Sequence, residues 1–492
     1  MSRRNGFALV LVLITAVLVV LALAPAAEKE PAANSTDEEL FKQVDRFIEV
    51  VRLVQQKYVR DVNTPKLFED AVKGMLSGLD PFSNFIDEQE VDEFDKATRG
   101  KFSGIGIQIG ARRGLLTVIS PLEGTPAYKA GVLSGDIILE INGKNADGIS
   151  LNDAVKMITG EAGTSVKLKV RHMTGDILEV TIARAVIEVS TVKGFKRSED
   201  DKWVWMIDPE KKIGYVRVTG FVDNTVEELR PAIQQMLDDG LKGLILDLRF
   251  NPGGQLHIAI EMVDMFVKEG IIVQTKGRTT PYWEASAKEE GTLPDFPMVV
   301  LVNPFSASAS EIVSGALQDD NRAIIVGERT FGKGSVQNVI PLRDGRTRLK
   351  LTTSKYYLPK GRSIHREEDM TDADEWGVIP DIIVPATPED YVAILRARQE
   401  ADILHTNGDH AAPKKEEGAA KPPEPKAPGA GADPARAPPD VEPVPGAPEA
   451  APAPGTEGAA KVAPRPDRQL ERALDILRSV EIIQKYLGAR AA

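Results

Sequence analysis

Residues 298–311 read Met298-Val299-Val300-Leu301-Val302-Asn303-Pro304-Phe305-Ser306-Ala307-Ser308-Ala309-Ser310-Glu311. Five apolar residues predict a strand buried on both faces, Asn303-Pro304 breaks it, and the small Ser/Ala run opens a helix. A second junction of this kind lies upstream, where Gly243 to Leu248 (GLILDL) breaks at Asn251-Pro252-Gly253-Gly254 before another helix. Each junction brings a helix N-terminus to a strand end. Free backbone N–H groups and the positive end of the helix dipole collect there, as a developing oxyanion requires. Glycine in one turn and alanine in the other let a peptide N–H approach a reacting carbonyl closely.

Around these junctions strands and helices alternate from Lys212 to about Val384: Ile213 to Val218, Val226 to Leu237, Gly243 to Leu248, Ile258 to Phe266, Met298 to Val302, Glu311 to Leu317 and Ala323 to Val326. The alternation predicts βαβ units and a sheet covered by helices.

Taken alone, Ser308-x-x-Glu311 is an ordinary capping box. Chemistry enters with Phe331-Gly332-Lys333-Gly334-Ser335-Val336-Gln337, because an extended chain turns Lys333, Ser335 and Gln337 to one face. A lysine serves as general base only when neutral, so burial must depress its pKa. Serine-lysine dyads use that chemistry and need no histidine. Gly332-Lys333-Gly334 lacks the rest of the G-x-x-x-x-G-K-[ST] pattern, which argues against nucleotide binding.

Composition narrows the field in the same direction. The chain has 492 residues, enough for two or three domains, and no cysteine, which removes disulfides, thiolate metal sites and cysteine nucleophiles. Its five histidines never fall at metal-ligand spacing, so neither metal nor nucleotide cofactor is implied. With 61 basic against 73 acidic residues, a net charge of −12 and no basic stripe, nucleic acid is not an expected partner.

Arg3 and Arg4 precede an uncharged run from Phe7 to Ala24, which reads as an export signal. Cleavage after Ala22-Leu23-Ala24 and retention as a signal anchor both stay open, since about 18 apolar residues just span a bilayer. Either way the remainder is expected to be periplasmic or otherwise extracytoplasmic, anchored to the inner membrane by the first segment if that segment is retained. Apolar spacing predicts an amphipathic helix from Asp37 to about Tyr58 and a second from Lys66 to Leu76, an arm that packs on its own domain or on another subunit. Short β-like runs with two helices fill Phe102 to Ala185 and predict a small separate domain. From Pro413 to Arg468 there is no Leu, Ile, Phe, Tyr or Trp, and nearly half of the 33 prolines lie there. Such a stretch buries too little apolar area to fold, so disorder is expected. It ends in an amphipathic helix, Leu470 to Leu487, expected to dock in cis or in trans.

The ordered motifs resemble the carboxyl-terminal processing, or tail-specific, serine peptidases of family S41. They are Leu79-Asp80-Pro81, Asp247-Leu248-Arg249 with Asn251-Pro252-Gly253-Gly254, the Ser306–Glu311 run, Gln318-Asp319, Gly327-Glu328, the Phe331–Gln337 segment, Tyr356-Tyr357 with Pro359-x-Gly361-Arg362-Ser363-Ile364, and Gly377-Val378-Ile379-Pro380-Asp381. Phe102-Ser103-Gly104-Ile105-Gly106-Ile107, with Pro126-Ala127-x-x-Ala130-Gly131-Val132 and Gly135-Asp136-Ile137-Ile138, resembles a PDZ domain inserted before the protease core.

The resemblance implies an α/β multidomain protein: signal peptide or anchor 1–27, N-terminal helical region 36–95, PDZ domain 96–185, ClpP/crotonase-like S41 core 186–397, disordered linker 398–466 and terminal helix 467–489. It implies Ser308 as nucleophile, Lys333 as base and Gln337 as its support. Oxyanion donors would be the N–H of Ala309 and that of Gly253 or Gly254, with Gly254 preferred. Asp319 matches an aspartate the family carries and is read as structural. Phe102 to Ile107 would form the carboxylate-binding loop, taking apolar protein C-termini as an added strand. The terminal helices offer surfaces for a second copy or an adaptor.

Three departures from the pattern are expected to bear on substrate preference and turn geometry without touching Ser308, Lys333 or Gln337: Phe250 in place of a polar Asn, Phe82 in place of the usual His, and the acidic insert Arg366 to Glu375. Two other readings compete: a catalytically silent PDZ scaffold, disfavoured by the intact Ser308, Lys333 and Gln337, and a Ser-His-Asp hydrolase using His257, whose neighbours Ile258, Ile260 and Met262 make it a helix-surface residue.

Overall fold

A computed structural model describes residues 35–112, 115–404 and 465–491. The apolar run Phe7–Ala24 and most of the proline-rich linker lie outside the described residues. Among the described residues no helix is long and apolar enough to cross a membrane.

The chain divides into a unit ending at Leu79 and a larger one beginning at Asp80. The first holds α1 (Ser35–Lys57) and α2 (Thr64–Ser77). Asn63 caps α2 by accepting from the Lys66 N–H at 3.2 Å, a proline stands in its first turn, and Phe47 meets Phe68 edge-on. Leu40, Phe41, Val44 and Ile48 of α1 remain exposed.

The larger unit contains a small antiparallel sheet of β1 (Ile107–Arg112), β2 (Leu115–Pro121), β3 (Ile137–Ile141), β4 (Ser165–Arg171) and β5 (Ile177–Ala183), paired in that order, with α3 (Leu151–Ile158) between β3 and β4. Alternating Val166, Leu168 and Val170 turn inward on β4, where they meet Ile105, Val118, Ile141 and Ala154. Lys101–Gly104 pairs antiparallel with Ala185–Glu188, so the chain enters and leaves this domain side by side. That pairing is how a domain can be inserted without disturbing its host. β1 lies at the sheet's end with one neighbour and, among the described residues, keeps a free edge.

The core sheet is built on β6 (Ile213–Val218), β7 (Gly243–Asp247), β8 (Met298–Val302) and β9 (Ile324–Gly327), parallel and adjacent in chain order, with shorter strands at the flanks. Their apolar runs are continuous because both faces are covered. Val216, Val218, Leu244, Leu246, Val300 and Val302 face α4 (Thr225–Asp238), α5 (Leu256–Asp264) and α6 (Ala309–Asp319). The alternate residues Tyr215, Ile245, Val299, Leu301 and Val326 face Ala473 and Leu477 of the last helix. Two hairpin strands, β10 (Ser335–Pro341) and β11 (Arg348–Tyr357), belong to a second, antiparallel sheet. α7 (Pro388–Asp402) follows, and α8 (Arg468–Ala491) closes the chain, docked in cis.

Candidate active site

The strand-to-helix turn after β8 holds three serines in three different states. Ser306 is fully buried; its hydroxyl donates to the Leu248 carbonyl at 2.9 Å and accepts from the Asn303 N–H at 3.0 Å. Ser310, also fully buried, donates to the Asn251 carbonyl at 2.9 Å. Ser308 is half-buried and stands in a capping box with Glu311, but its hydroxyl is not tied to a distant carbonyl as those of Ser306 and Ser310 are. The Glu311 N–H bonds the Ser308 carbonyl at 2.9 Å. Ser308 has φ +55° and ψ −113°, a region sparsely populated by non-glycine residues at a cost of about 1–3 kcal/mol.

What holds this strain is Glu311, a completely buried carboxylate. One oxygen accepts from the backbone N–H groups of Ser308 and Lys333, each at 2.8 Å; the other accepts from the Thr330 hydroxyl at 2.6 Å and the Gly332 N–H at 2.7 Å. One oxygen shared by the two N–H groups sets Ser308 and Lys333 side by side. Burial pushes the Glu311 carboxyl up to about 7, against the pull of its donors. Sequence reasoning credited Glu311 with capping alone; the other signal was its place ahead of the Thr330–Lys333 segment, which only tertiary structure connects.

Lys333 is half-buried, and its ammonium lies 4.7 Å from the centre of the Phe82 ring, without an ion pair among the described residues. Burial and the charge of Lys350 lower its pKa, opposed by Glu311 and Asp80. The expectation that no departure from the family pattern reaches the site is therefore corrected. Phe82 packs on Lys333 itself, brought there because Asp80 ties its turn down through the Phe82 and Ser83 N–H groups at 2.7 and 2.8 Å. The acidic insert is close too, since the Arg366 N–H bonds the Gly332 carbonyl at 2.9 Å.

Gln337 follows a register shift in β10 and spends its amide on the hydroxyls of Ser335 (2.9 Å) and Thr352 (3.2 Å), the latter bonded to Asp80 at 3.2 Å. It thus supports the Asp80 turn rather than bonding the Lys333 amine. Asp319 binds the Lys360 N–H and the Arg362 guanidinium and holds that turn. His257 is exposed on α5.

The second junction packs against the first. The Asn251 carbonyl accepts from the Ala307 N–H at 3.0 Å as well as from Ser310, and the Asn251 side chain takes the Gly253 N–H at 2.9 Å. A Cβ on Gly253 would stand 2.7 Å from the Ala307 carbonyl oxygen and 2.9 Å from Ser308 Cβ; one on Gly254 would meet the Phe221 oxygen at 2.1 Å. Only glycine fits at either place. With the Gly253 N–H occupied, those of Gly254 and Ala309 are left with no acceptor among the described residues. In the small domain the N–H groups of Ile105 and Gly106 are likewise unclaimed, although both residues are buried. Ile105, Gly106 and Ala309 are buried and Gly254 is exposed; a buried N–H without a protein acceptor is completed by water or by a ligand.

A parallel sheet that delivers a serine in strained backbone to a helix N-terminus beside unclaimed N–H groups fits the serine hydrolases. Comparison with known proteins narrows this. Residues 212–384 match the model of peptidase family S41, residues 117–172 that of the PDZ domain, and residues 20–90 that of the activating protease CtpB N-terminal domain. The carboxy-terminal-processing protease of Bartonella bacilliformis is 39% identical over 398 residues, covering 80% of this chain and 85% of its own. The carboxy-terminal processing protease CtpA of Bacillus subtilis is 34% identical over 379 residues, 76% of this chain and 74% of its own. Among solved structures, the photosystem II D1 C-terminal processing protease aligns over 73% of this chain and 98% of its own, with 28% identity and a TM-score of 0.40. The chain belongs to the carboxy-terminal processing proteases of peptidase family S41. It is a serine-type peptidase with a PDZ domain, and its substrates are proteins.

Proposed function

We propose that this protein is an exported endopeptidase that captures apolar protein C-termini in its PDZ groove and cleaves them with a Ser308–Lys333 dyad. The observation that carries the reading is the contrast among the three serines: Ser306 and Ser310 donate to buried carbonyls while Ser308 does not, and Glu311 fixes its backbone beside that of Lys333. Neutral Lys333 takes the Ser308 proton as Oγ attacks the scissile carbonyl, and the Ala309 and Gly254 N–H groups receive the oxyanion. Lys333 then returns the proton to the leaving amine, and water, activated by the same amine, hydrolyses the acyl-enzyme. Gln337 acts at one remove, steadying the Asp80 turn. In the PDZ domain a terminal carboxylate would sit on the Ile105 and Gly106 N–H groups while the peptide adds to the free edge of β1; Phe102, Ser103, Gly104 and Ile107 frame that loop.

The parallel strand order, with helices following three of the four strands, supports a ClpP/crotonase-like core over about 186–397, and the paired strands at 101–104 and 185–188 support PDZ limits near 96–185. The Arg3-Arg4 and Phe7–Ala24 pattern supports export, with inner-membrane anchoring if the segment is retained. The exposed apolar side of α1 fits a second copy or an adaptor.

The test is degradation of a denatured, tail-tagged substrate by the wild type, Ser308→Ala and Lys333→Ala. Both variants are expected to lose turnover while binding the tail peptide normally. Full turnover by Ser308→Ala would remove the nucleophile assignment, and loss on His257→Ala without loss on Lys333→Ala would remove the dyad.

A further inference from the structure

The last helix does more than cover the sheet. Asp467, just before α8, caps it by accepting the Leu470 N–H at 3.1 Å, and the same carboxylate grips Arg249 with two parallel bonds of 2.8 and 2.9 Å. Gln469, almost fully buried, accepts from Arg249 at 3.1 Å and donates to Glu328 at 3.2 Å and to the Val384 carbonyl at 2.8 Å. Arg249 stands two residues before Asn251, which positions Gly253, Ala307 and Ser310. Glu328 stands two residues before Thr330, which donates to Glu311. One tail residue therefore touches both loops that assemble the site.

We infer that α8 is a positioning element of the active site, and that Asp467 and Gln469 couple its docking to the oxyanion turn and to the Lys333 loop. This rests on the roles of Ser308 and Gly254 given above. The charge count explains the coupling. Asp247 is fully buried and shared by two cations, accepting from Arg249 at 2.7 and 3.0 Å and from Arg398 at 2.7 Å. Asp467 is the second carboxylate that balances the pair. With the charge of Asp467 removed and the tail still docked, Arg249, whose side chain is then 1% exposed, keeps only Asp247, which Arg398 shares; with the tail undocked it loses both that charge and the cover of Gln469. Relief comes from moving toward water, and the residues that move with it are Phe250 and Asn251. Phe250 already sits at φ +62°, held by the Asn303 side chain at 2.9 Å and by stacking on Phe305. Strain of that kind persists only where the surroundings over-determine it. Because residues 403–467 separate α8 from α7, docking is an intramolecular binding event and activity follows its occupancy.

The experiment uses full-length Asp467→Asn and Gln469→Ala together with a chain ending at residue 464. Asparagine caps helices as well as aspartate does, so Asp467→Asn removes the charge and leaves the cap. Each change is expected to lower kcat about 10- to 100-fold, below the cost of losing an oxyanion donor outright, with KM for a tail-tagged substrate changed less than about twofold. A synthetic peptide of residues 465–492 should restore kcat to the shortened chain saturably, and the same peptide carrying Asp467→Asn should raise its melting temperature without restoring kcat. Wild-type kcat in full-length Asp467→Asn overturns the inference, as does a mutant peptide that restores turnover as fully as the native one. If the shortened chain fails to fold, the full-length variants decide. The catalytic assignment fails separately, through an active Ser308→Ala.

Discussion

Two places where peptide N–H groups go unclaimed among the described residues, the Ile105–Gly106 loop of the small domain and the Gly254–Ala309 pair of the protease core, are held in different ways. The PDZ loop is relaxed: its single left-handed residue is Gly106, at φ +79°, where no Cβ pays a steric cost. The core pair flanks Ser308 at φ +55° and follows Phe250 at φ +62°, neither of them glycine. A terminal carboxylate is a stable ligand, so its site needs only open donors. An oxyanion exists for an instant, and its donors must already be fixed when the charge appears; in the proposed mechanism Glu311 and Asn251 would supply that rigidity. The contrast separates binding from turnover, and substitutions should separate them too.

Ser308→Gly should give the largest split. Turnover is expected to fall by more than about 10³-fold, while affinity for a tail peptide stays unchanged. Glycine accepts φ +55° without strain, so the melting temperature should rise by the equivalent of about 1 kcal/mol, a gain Ser308→Ala should lack. Equal stability in the two variants would mean that Ser308 is not strained.

Glu311→Gln comes next. All four partners of this carboxylate are donors, since Thr330 must use its proton here while accepting from the Val378 N–H at 2.7 Å. Whichever way the new amide turns, its NH₂ faces two donors. A loss of about 2–3 kcal/mol in stability is expected, with turnover down roughly 100-fold and PDZ binding intact. Calorimetry and a peptide titration check it.

Gly106→Ala should act on the other side of the comparison. The added Cβ would lie 2.3 to 2.6 Å from Thr125 in a left-handed residue, closing the loop on its donors. KM for tail-tagged substrates should rise about tenfold, with kcat on a short untagged peptide unaffected. Equal losses on both substrates would show that the loop serves catalysis as well.

Much of this was legible in residue order. The runs at 243–248 and 298–302 marked strands buried on both faces, and the tail's spacing marked a helix that docks. What covers each face was not legible, because Tyr215, Ile245 and Leu301 meet Ala473 and Leu477 across more than 150 residues. Nor did spacing distinguish Ser308 from Ser306 and Ser310; family resemblance did, and the physical reason is that the other two bond carbonyls 58 and 59 residues away. Phe82 misled for a similar reason: nothing local ties it to Lys333.

The smallest expected effect concerns the lysine's proton. Burial and Lys350 hold the Lys333 pKa down, while Asp80 and Glu311 push it up, so neighbours can tune it without touching Ser308. A lysine base works in its neutral form, which makes the acidic limb of kcat/KM report this balance. Asp80→Asn removes a negative charge and should move that limb to lower pH; Lys350→Ala removes a positive one and should move it higher. Tail-peptide affinity should show neither displacement, because the donors of the PDZ loop are peptide N–H groups that do not titrate. Limbs that move in the same direction for both variants would show that another group sets the profile, and the dyad would then lose its base.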